Sequence, residues 1–377
     1  MRRQLHEKKR LVVKIGSSIL SQHGTGLDSE KFHQLADQVA ALVKKKYQVV
    51  MVSSGAIAAG MHRLGFDRKP SDIPQKQAIA AVGQTALMHE YEKAFARHGL
   101  FAGQILLTRE DLSNRHRYLN ARHAIAALLH LGIIPIVNEN DTVAVHEIKF
   151  GDNDNLSALV TNVAEADLLI ILTDIDAVYD ADPRVKKDAK RLSLIENLDS
   201  DLKRGASGTL RAGSTGGMMT KLEAAEKATH FGVATLIVDG NEPNILERAL
   251  AGEDVGTLIL PKQGSNRLSA KEHWLAYTLR PSGTLHVDAG AKEALLKKGK
   301  SLLPSGIVAC EGKFLEGEAL DISVKGEKPF ARGLTSYSSE EIHKIQGKKT
   351  SEIEKILGYK YFDEVIHRDD MVLLEQP

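Results

Sequence analysis

The chain has 377 residues, of which 42% are hydrophobic and 26% charged, and its formal net charge is +1. This length predicts two or three domains, and the nearly neutral charge excludes binding to nucleic acid or an anionic membrane through the overall field. No apolar run approaches the roughly 20 residues of a membrane helix, and Cys310 has no second cysteine with which to form an internal disulfide. We therefore expect a cytoplasmic protein with no membrane partner.

The first two-thirds of the chain alternates short β-rich runs with helical patterns, which is typical of an α/β fold with a mostly parallel open sheet sandwiched by helices. Residues 1–10 are basic but have no apolar continuation, so we interpret them as a solvated arm rather than a secretory signal. The predicted strands are 11–13, 49–52, 102–107, 133–137, 168–172 and 236–238. The predicted helices are 29–46, 75–98, 118–131 and 220–231.

Small or polar residues follow several of these strands, and ligands bind beyond the carboxyl ends of the strands in open α/β sheets. Lys14 ends the first strand and is followed by Gly16, whose loop could turn backbone N–H groups towards phosphate oxygens. This loop lacks the spacing of a P-loop or of a dinucleotide-binding fingerprint. The second strand leads into a turn that contains Ser54, Gly55 and Ala56.

Two segments rich in Asn and Asp, 138–141 and 151–155, stand close together after the fourth strand. Their short carboxylates and amides could bind a zwitterion and organise cationic groups around a phosphate. The alternative is a pair of Asx turns, because Asn and Asp hydrogen-bond their own backbone in loops.

Thr173 and Asp174 follow a very apolar strand, where they could contact a ribose or a purine edge or could cap a helix. Further on, a glycine-rich run at 213–217 precedes the predicted helix 220–231 and places Lys221 in its first turn. A cation there opposes the helix dipole, so a bound anion such as a nucleotide phosphate would explain it. The alternative is a flexible hinge with a solvated lysine.

A domain boundary is indicated by the turn residues at 261–266, after which the pattern changes. A predicted helix at 267–277 carries Trp274, and short strands are predicted at 284–287, 307–308 and 319–324, with a helix at 291–298. We therefore expect three regions: a domain at 1–262, a linker with a helix at 263–280, and a small β-rich barrel or sandwich at 281–377.

Five motifs together resemble the amino acid kinase family, in the family's order across residues 10–260. They are 12–18 (VVKIGSS), 53–60 (SSGAIAAG), 138–141 (NEND), 151–159 (GDNDNLSAL) and 216–221 (GGMMTK). The last region is similar to a PUA domain, and this module distinguishes the members that phosphorylate free glutamate from those that act on acetylglutamate, aspartate or carbamate. Ser17 stands where threonine is common in the family, and Met219 stands where a smaller polar residue is common.

The resemblance implies ATP-dependent phosphorylation of the γ-carboxylate of L-glutamate to γ-glutamyl phosphate, the first step of proline biosynthesis. It implies Mg²⁺ that bridges ATP oxygens, feedback inhibition by proline with discrimination at 110–117 and 141–152, and a homo-oligomer (dimer or tetramer). Coupling to γ-glutamyl phosphate reductase is also implied. A γ-carboxylate has a pKa of about 4.3 and is already ionised, so positioning and positive charge can carry the reaction without a general base.

The resemblance also assigns roles by position. Lys14 and Lys221 would stabilise the transferred phosphoryl group, and Asp154 would hold both lysines. Asp141 would take the α-ammonium of the substrate. The rest of the substrate pocket would be Ser54, Gly55, Ala56, Asn138 and Asn153. The nucleotide side would be Lys14, Gly16, Thr173, Asp174, Thr215, Gly216, Gly217, Met218, Met219, Thr220 and Lys221.

RNA binding is the competing function, because PUA modules usually occur in proteins that bind or modify RNA. From residue 279 onward, fifteen Lys and Arg stand against sixteen Asp and Glu. This balance, with no aromatic stacking platform, argues against an RNA partner.

Overall fold

The structure is a computed structural model that describes residues 2–21, 26–68, 70–144, 152–183, 185–198, 202, 217–261, 275–276, 279–360 and 362–374. The chain forms two compact units, 1–267 and 268–377. Most of the linker expected at 263–280 lies outside the described residues, so the three-region division stays a proposal. No described helix is both long enough and apolar enough to span a membrane.

The first unit is built on a sheet of eight strands among the described residues. In chain order they are β1 (Arg10–Ile15), β2 (Gln48–Ser53), β3 (Ala102–Leu107), β4 (Ile134–Glu139), β5 (Leu168–Thr173), β8 (Leu194–Ile195), β9 (Ala234–Asp239) and β10 (Thr257–Ile259). Two further strands, β6 (Val178–Tyr179) and β7 (Arg191–Leu192), pair separately. The sheet order is β3-β4-β2-β1-β5-β9-β10-β8, and only β9 and β10 pair antiparallel. The predicted mostly parallel sheet is confirmed.

The helices of this unit connect the strands. They are α1 (Ser17–Leu20), α2 (Ser29–Lys44), α3 (Ala56–Leu64), α4 (Ile73–Ala96), α5 (Arg109–Ser113), α6 (Arg115–His130), α7 (Asp152–Val163), α8 (Met218–His230) and α9 (Ile245–Leu250), with a 3₁₀ turn at Arg2–Glu7. Side chains that accept backbone N–H bonds fix several starts, as Asp28 does for α2 and Asp72 for α4. The four predicted helices are confirmed, with shifted ends.

The core of the unit explains why the central strands read as continuous apolar runs. Every residue of β4 and β5 is buried, as expected for parallel strands covered by helices on both faces. Aromatic rings of α2 and α4 pack against the sheet, with Phe32 and Tyr91 in edge contact at a centroid distance of 4.8 Å. These contacts hold the helices on the strands whose ends form the site below.

The second unit has a five-stranded sheet of its own among the described residues. The strands are β11 (Gly283–Val287), β12 (Ile307–Gly312), β13 (Ala319–Ser323), β14 (Ala331–Leu334) and β15 (Met371–Leu373), in the order β12-β11-β13-β14-β15. The helices are α10 (Ala289–Lys298), α11 (Ser339–Ile345) and α12 (Ile353–Leu357), with 3₁₀ turns at Pro304–Gly306, Thr350–Glu352 and Arg368–Asp370. The small β-rich domain predicted here is confirmed.

An unusually close contact joins α3 to α4 in the first unit. A Cβ atom on Gly83 would lie 1.7 Å from the carbonyl oxygen of Ala56, and one on Gly60 would lie 1.9 Å from that of Ile79. Both obstacles are backbone atoms, so neither can rotate away. The two glycines therefore let the N-terminus of α3 approach the middle of α4.

Gly83→Ala should lower the free energy of unfolding by about 1–3 kcal/mol, because overpacking exceeds the gain in helix propensity. Equilibrium urea unfolding of the full-length protein measures this effect. The control is Gly290→Ala in α10, where the new Cβ would meet only the Asp288 side chain, at 3.3 Å. The control should match or exceed wild-type stability. A Gly83→Ala protein as stable as the control would mean that the helix contact tolerates a methyl group.

Candidate active site

The candidate site lies at the carboxyl ends of four adjacent strands, β4, β2, β1 and β5. Because these strands are parallel and in register, Gly16, Ser54, Asp141 and Thr173 all follow or end their strands at one edge of the sheet. Neighbouring strands are about 4.8 Å apart, so the four ends span little more than the length of a small ligand. The sheet thus collects residues that are up to 159 positions apart in the chain, from Lys14 to Thr173.

Three charged side chains converge at the centre of this edge. Lys14 Nζ lies 2.6 Å from Asp154 Oδ1, and Lys221 Nζ lies 3.5 Å from Asp154 Oδ2. Lys14 comes from β1, Asp154 from the first turn of α7 and Lys221 from the first turn of α8. Their relative exposures are 6%, 1% and 5%, so the three groups are held away from bulk water. One carboxylate therefore organises two ammonium groups.

Burial and pairing act on these groups in opposite directions. Burial alone would raise the pKa of Asp154, but the two lysine charges and the hydrogen bonds overcome it and hold that pKa below its usual value. The pKa of Lys221 is lowered by burial, and the Asp154 charge only partly offsets this. Asp154 is therefore ionised, and it supports the charged form of Lys221.

The N-terminus of α8 completes this cluster. Thr220 donates its hydroxyl hydrogen to Asp154 Oδ2 at 2.7 Å, and Gly217 is the N-cap residue. The helix begins at Met218, two residues earlier than expected, and Met219 is half-buried beside it. The solvated lysine of the alternative is wrong, because Lys221 is buried and pairs with Asp154. The hinge proposed with it falls at 213–216, outside the described residues. Thr215 and Gly216 lie outside the described residues.

A second, uncharged cluster occupies the β2 and β4 side of the edge. Asn153 Nδ2 lies within hydrogen-bond distance of three acceptors, which share its two hydrogens. They are Ser53 O at 2.9 Å, Ser54 Oγ at 3.0 Å and Asn138 Oδ1 at 3.0 Å. Asn138 Nδ2 in turn donates to Gln84 Oε1 at 2.7 Å. Sequence reasoning missed Gln84, because nothing in the helical pattern of α4 distinguishes it from a surface glutamine.

The two Asn- and Asp-rich segments differ from the pair of Asx turns that was the alternative. Asn153, Asp154 and Asn155 lie in the first turn of α7, which begins at Asp152. Asn138 is the fifth residue of β4 and is buried. Asp141 is half-buried in the turn after β4. Gly151 and most of the segment 141–152 lie outside the described residues.

The turn after β2 presents backbone groups at a helix start. Gly55 has φ of 109° and caps α3, and a Cβ there would meet nothing within 4 Å, so the space beside it is open. Ala56 is the first residue of α3, whose N-terminal N–H groups have no partner within the helix. This turn can therefore receive an anion.

Gly16 lies where β1 passes into the loop, and its backbone N–H already has a partner within the protein. Its N–H donates to Leu172 O at 3.2 Å, so this N–H ties β1 to β5 instead of facing a phosphate. The prediction that backbone N–H groups of this loop turn towards phosphate oxygens stays a prediction for the residues after Gly16. A Cβ on Gly16 would lie 3.9 Å from Lys14 Nζ, so the glycine still keeps space beside that ammonium group.

Thr173 and Asp174 stand at the end of β5, beside the charged cluster. Thr173 is buried and donates its hydroxyl hydrogen to Asp174 Oδ1 at 3.3 Å. Asp174 is exposed, and its charge offsets a small part of the lowering that burial causes in the pKa of Lys221. No helix starts there, because the described chain bends and enters β6. The alternative of a helix cap is therefore wrong.

The arrangement of possible metal ligands bears on whether the protein itself binds a metal ion. Within the described part of the chain, no three His, Cys, Asp or Glu side chains are grouped so that they could hold a metal ion. Both oxygens of Asp154 already contact cations. The two ammonium groups around Asp154 therefore suit a ligand rich in phosphate oxygens better than a bare cation.

Comparisons with known proteins agree with this architecture. The amino acid kinase family model matches residues 9–239, and the PUA domain model matches residues 283–357. The glutamate 5-kinase of Pelobacter propionicus is 53% identical over 99% of this chain and 100% of its own length. That of Geobacter sulfurreducens is 53% identical over 98% and 99%, and that of Caldanaerobacter subterraneus subsp. tengcongensis is 50% identical over 97% and 98%. The chain therefore belongs to the amino acid kinase family and, within it, to the glutamate 5-kinases.

Asp154→Ala should lower the free energy of unfolding by about 3–5 kcal/mol, because it leaves two buried ammonium groups without their counter-ion. The matched control replaces the whole cluster with apolar side chains, as Lys14→Met, Asp154→Leu and Lys221→Met together. This triple variant should be about as stable as wild type, or more stable. Urea unfolding compares the three proteins. Equal losses in both variants would contradict the counter-ion role of Asp154.

Proposed function

We propose that this chain transfers the γ-phosphoryl group of ATP to the γ-carboxylate of L-glutamate, with γ-glutamyl phosphate and ADP as products. The observation that carries the proposal is the buried Lys14–Asp154–Lys221 cluster at the carboxyl edge of the sheet. Full-length similarity to glutamate 5-kinases supports the choice of substrate.

The reaction needs no general base. The γ-carboxylate, with a pKa of about 4.3, is ionised at neutral pH, so one of its oxygens attacks the γ-phosphorus directly. The bond from the γ-phosphorus to the bridging oxygen breaks, and ADP leaves with that electron pair. Repulsion between two anions is the main obstacle, and positioned positive charge removes it.

The two lysines supply this positive charge. Two ammonium groups share one carboxylate, so a charge of about +1 remains for the oxygens of the transferred group. Because the groups are more than nine-tenths buried, their attraction for those oxygens is screened less than it would be in water. Thr220 donates to Asp154, and Asp154 keeps Lys221 in place, so little reorganisation is needed when the charge moves.

The uncharged cluster suits the other end of the substrate. β4 is the second neighbour of β1, so Asn138 lies about two strand spacings from the strand that carries Lys14. Asn138, Asn153 and the turn with Ser54, Gly55 and Ala56 would bind the α end of glutamate. Asp141, in the turn after β4, would pair with the α-ammonium.

ATP would bind on the β5 and α8 side. Thr173 and Asp174 would face the nucleoside, and the start of α8 from Gly217 to Thr220 would face the phosphates, with Met218 and Met219 beside them. Lys14 and Gly16 would close the phosphate side. Thr215 and Gly216 belong to the same proposed loop. Mg²⁺ would arrive with the nucleotide, and we assign it no protein ligand. When bound, the ion would neutralise part of the negative charge on the phosphates.

The wider setting of the enzyme is proposed on the same basis. γ-Glutamyl phosphate is the first intermediate of proline biosynthesis, and an acyl phosphate hydrolyses readily in water, so transfer to γ-glutamyl phosphate reductase would protect it. We also propose a cytoplasmic homo-oligomer, a dimer or tetramer, that proline inhibits.

A coupled assay of ADP release tests the substrate choice. Glutamate, N-acetylglutamate and aspartate are compared at equal concentrations with ATP and Mg²⁺, and glutamate should be turned over fastest by far. Preference for N-acetylglutamate or aspartate would assign the chain another acceptor.

Lys14→Ala and Lys221→Ala should each lower kcat at least about a hundredfold, which is the scale for loss of one preorganised electrostatic group. The KM for glutamate should stay within about threefold, since the lysines act on the phosphoryl group. The control is Lys227→Ala on the same helix, whose ammonium donates to Asn155 Oδ1 at 2.5 Å. Its kcat should stay near that of wild type. Near-normal turnover of either lysine variant would remove that lysine from the catalytic centre.

Asp141→Asn should raise the KM for glutamate about tenfold or more, because a charge-assisted bond to the α-ammonium is lost. Proline also carries an α-carboxylate and an amine, so half-inhibition should need a proline concentration higher by a similar factor. The KM for ATP is the internal control and should not change. Steady-state kinetics at several proline concentrations decides this. An unchanged KM for glutamate would place Asp141 outside the pocket.

A further inference from the structure

Gln84 of α4 contacts the uncharged cluster, although the proposed reaction gives it no role. Its Oε1 accepts from Asn138 Nδ2 at 2.7 Å, while its Nε2 is buried and has no hydrogen-bond partner among the described residues. A buried donor without a partner is destabilising, and an apolar side chain of similar size would avoid that penalty. Its presence therefore fits a functional constraint better than a structural one.

Two backbone groups identify which end of each asparagine amide is the donor and which is the acceptor. The N–H of Glu139 can only donate, so the atom of Asn138 that it contacts at 2.9 Å is the amide oxygen. The carbonyl of Ser53 can only accept, so the atom of Asn153 that it contacts at 2.9 Å is the amide nitrogen. Gln84 must then present its oxygen to Asn138, as it does.

This orientation decides what Ser54 can do. Asn153 Nδ2 donates to Ser54 Oγ at 3.0 Å, so the hydroxyl accepts from the protein. The hydroxyl hydrogen of Ser54 has no acceptor among the described residues and is available to a ligand. With Asn153 reversed, Ser54 would instead donate to the amide oxygen, and its hydrogen would be lost to the ligand.

We propose that Gln84 is a positioning residue that, together with the backbone groups of Glu139 and Ser53, holds the amides of Asn138 and Asn153 in one orientation, so that Ser54 presents a hydrogen to a substrate carboxylate. This inference rests on the proposed function, because it takes glutamate as the ligand. Gln84 itself does not touch the substrate. Its side-chain oxygen accepts a hydrogen bond from Asn138 Nδ2. A reversed Asn138 amide would place its oxygen there and could not donate that bond.

Gln84→Met removes the acceptor at similar length, and it should raise the KM for glutamate about tenfold, the scale of one lost hydrogen bond to a charged group. The kcat and the KM for ATP should stay within about threefold. Gln84→Leu gives a second variant without the acceptor if the first does not fold. Gln75→Met, at an exposed glutamine of the same helix, is the matched control and should leave every constant unchanged.

A double-mutant cycle separates positioning from general damage. If Gln84 acts through Ser54, then Gln84→Met should change the KM for glutamate less than about twofold in a Ser54→Ala protein. The inference would be overturned if the two substitutions multiplied their effects on the KM for glutamate in the double variant, or if Gln84→Met alone left that KM unchanged. Wild-type protein that does not phosphorylate glutamate would instead overturn the proposed function, and the two failures are thus distinguishable.

Discussion

The contact of one buried carboxylate with two buried ammonium groups governs the rest of this structure. Lys14, Asp154 and Lys221 come from a strand and two helices that are far apart in the chain, and all three are almost wholly buried. Two cations and one anion leave a residual positive charge in a poorly solvated place, which is unfavourable in the free protein. In the proposed reaction a phosphoryl group that carries negative charge would relieve that imbalance, so the same feature that weakens the fold would favour the transferred group.

The parallel sheet divides the site into two chemical halves. On the β1 and β5 side the groups are charged and suit phosphate oxygens, whereas on the β2 and β4 side they are amides and hydroxyls that suit the polar end of an amino acid. Both halves meet at α7, where Asn153 joins the amides and the next residue, Asp154, joins the lysines. Adjacent residues in the first turn of one helix therefore join the two clusters, and in the proposed reaction they would set the distance between the acceptor and the transferred group.

The sequence predicts much of this arrangement, and the failures have identifiable causes. Central strands such as β5 are recognisable because both faces are buried, but β10 has only three residues and shows no periodicity. The start of α7 within the Asn- and Asp-rich segment cannot be read from the local pattern, because Asn and Asp favour helix starts and loops alike. The hydrogen bond from Gly16 to Leu172 and the amide of Gln84 depend on contacts between distant segments. Local pattern carries no trace of such contacts.

The contact between α3 and α4 affects both the packing of the core and the geometry of the candidate site. Gly83 permits its helix to approach Ala56, the first residue of α3, and the next residue along α4 is Gln84. The same contact thus places the turn with Ser54 and Gly55 against the helix that orients Asn138. A side chain at Gly83 would have to move either the anion-binding turn or the glutamine. Glycine at this position is therefore required by the geometry of the site as much as by the density of the core.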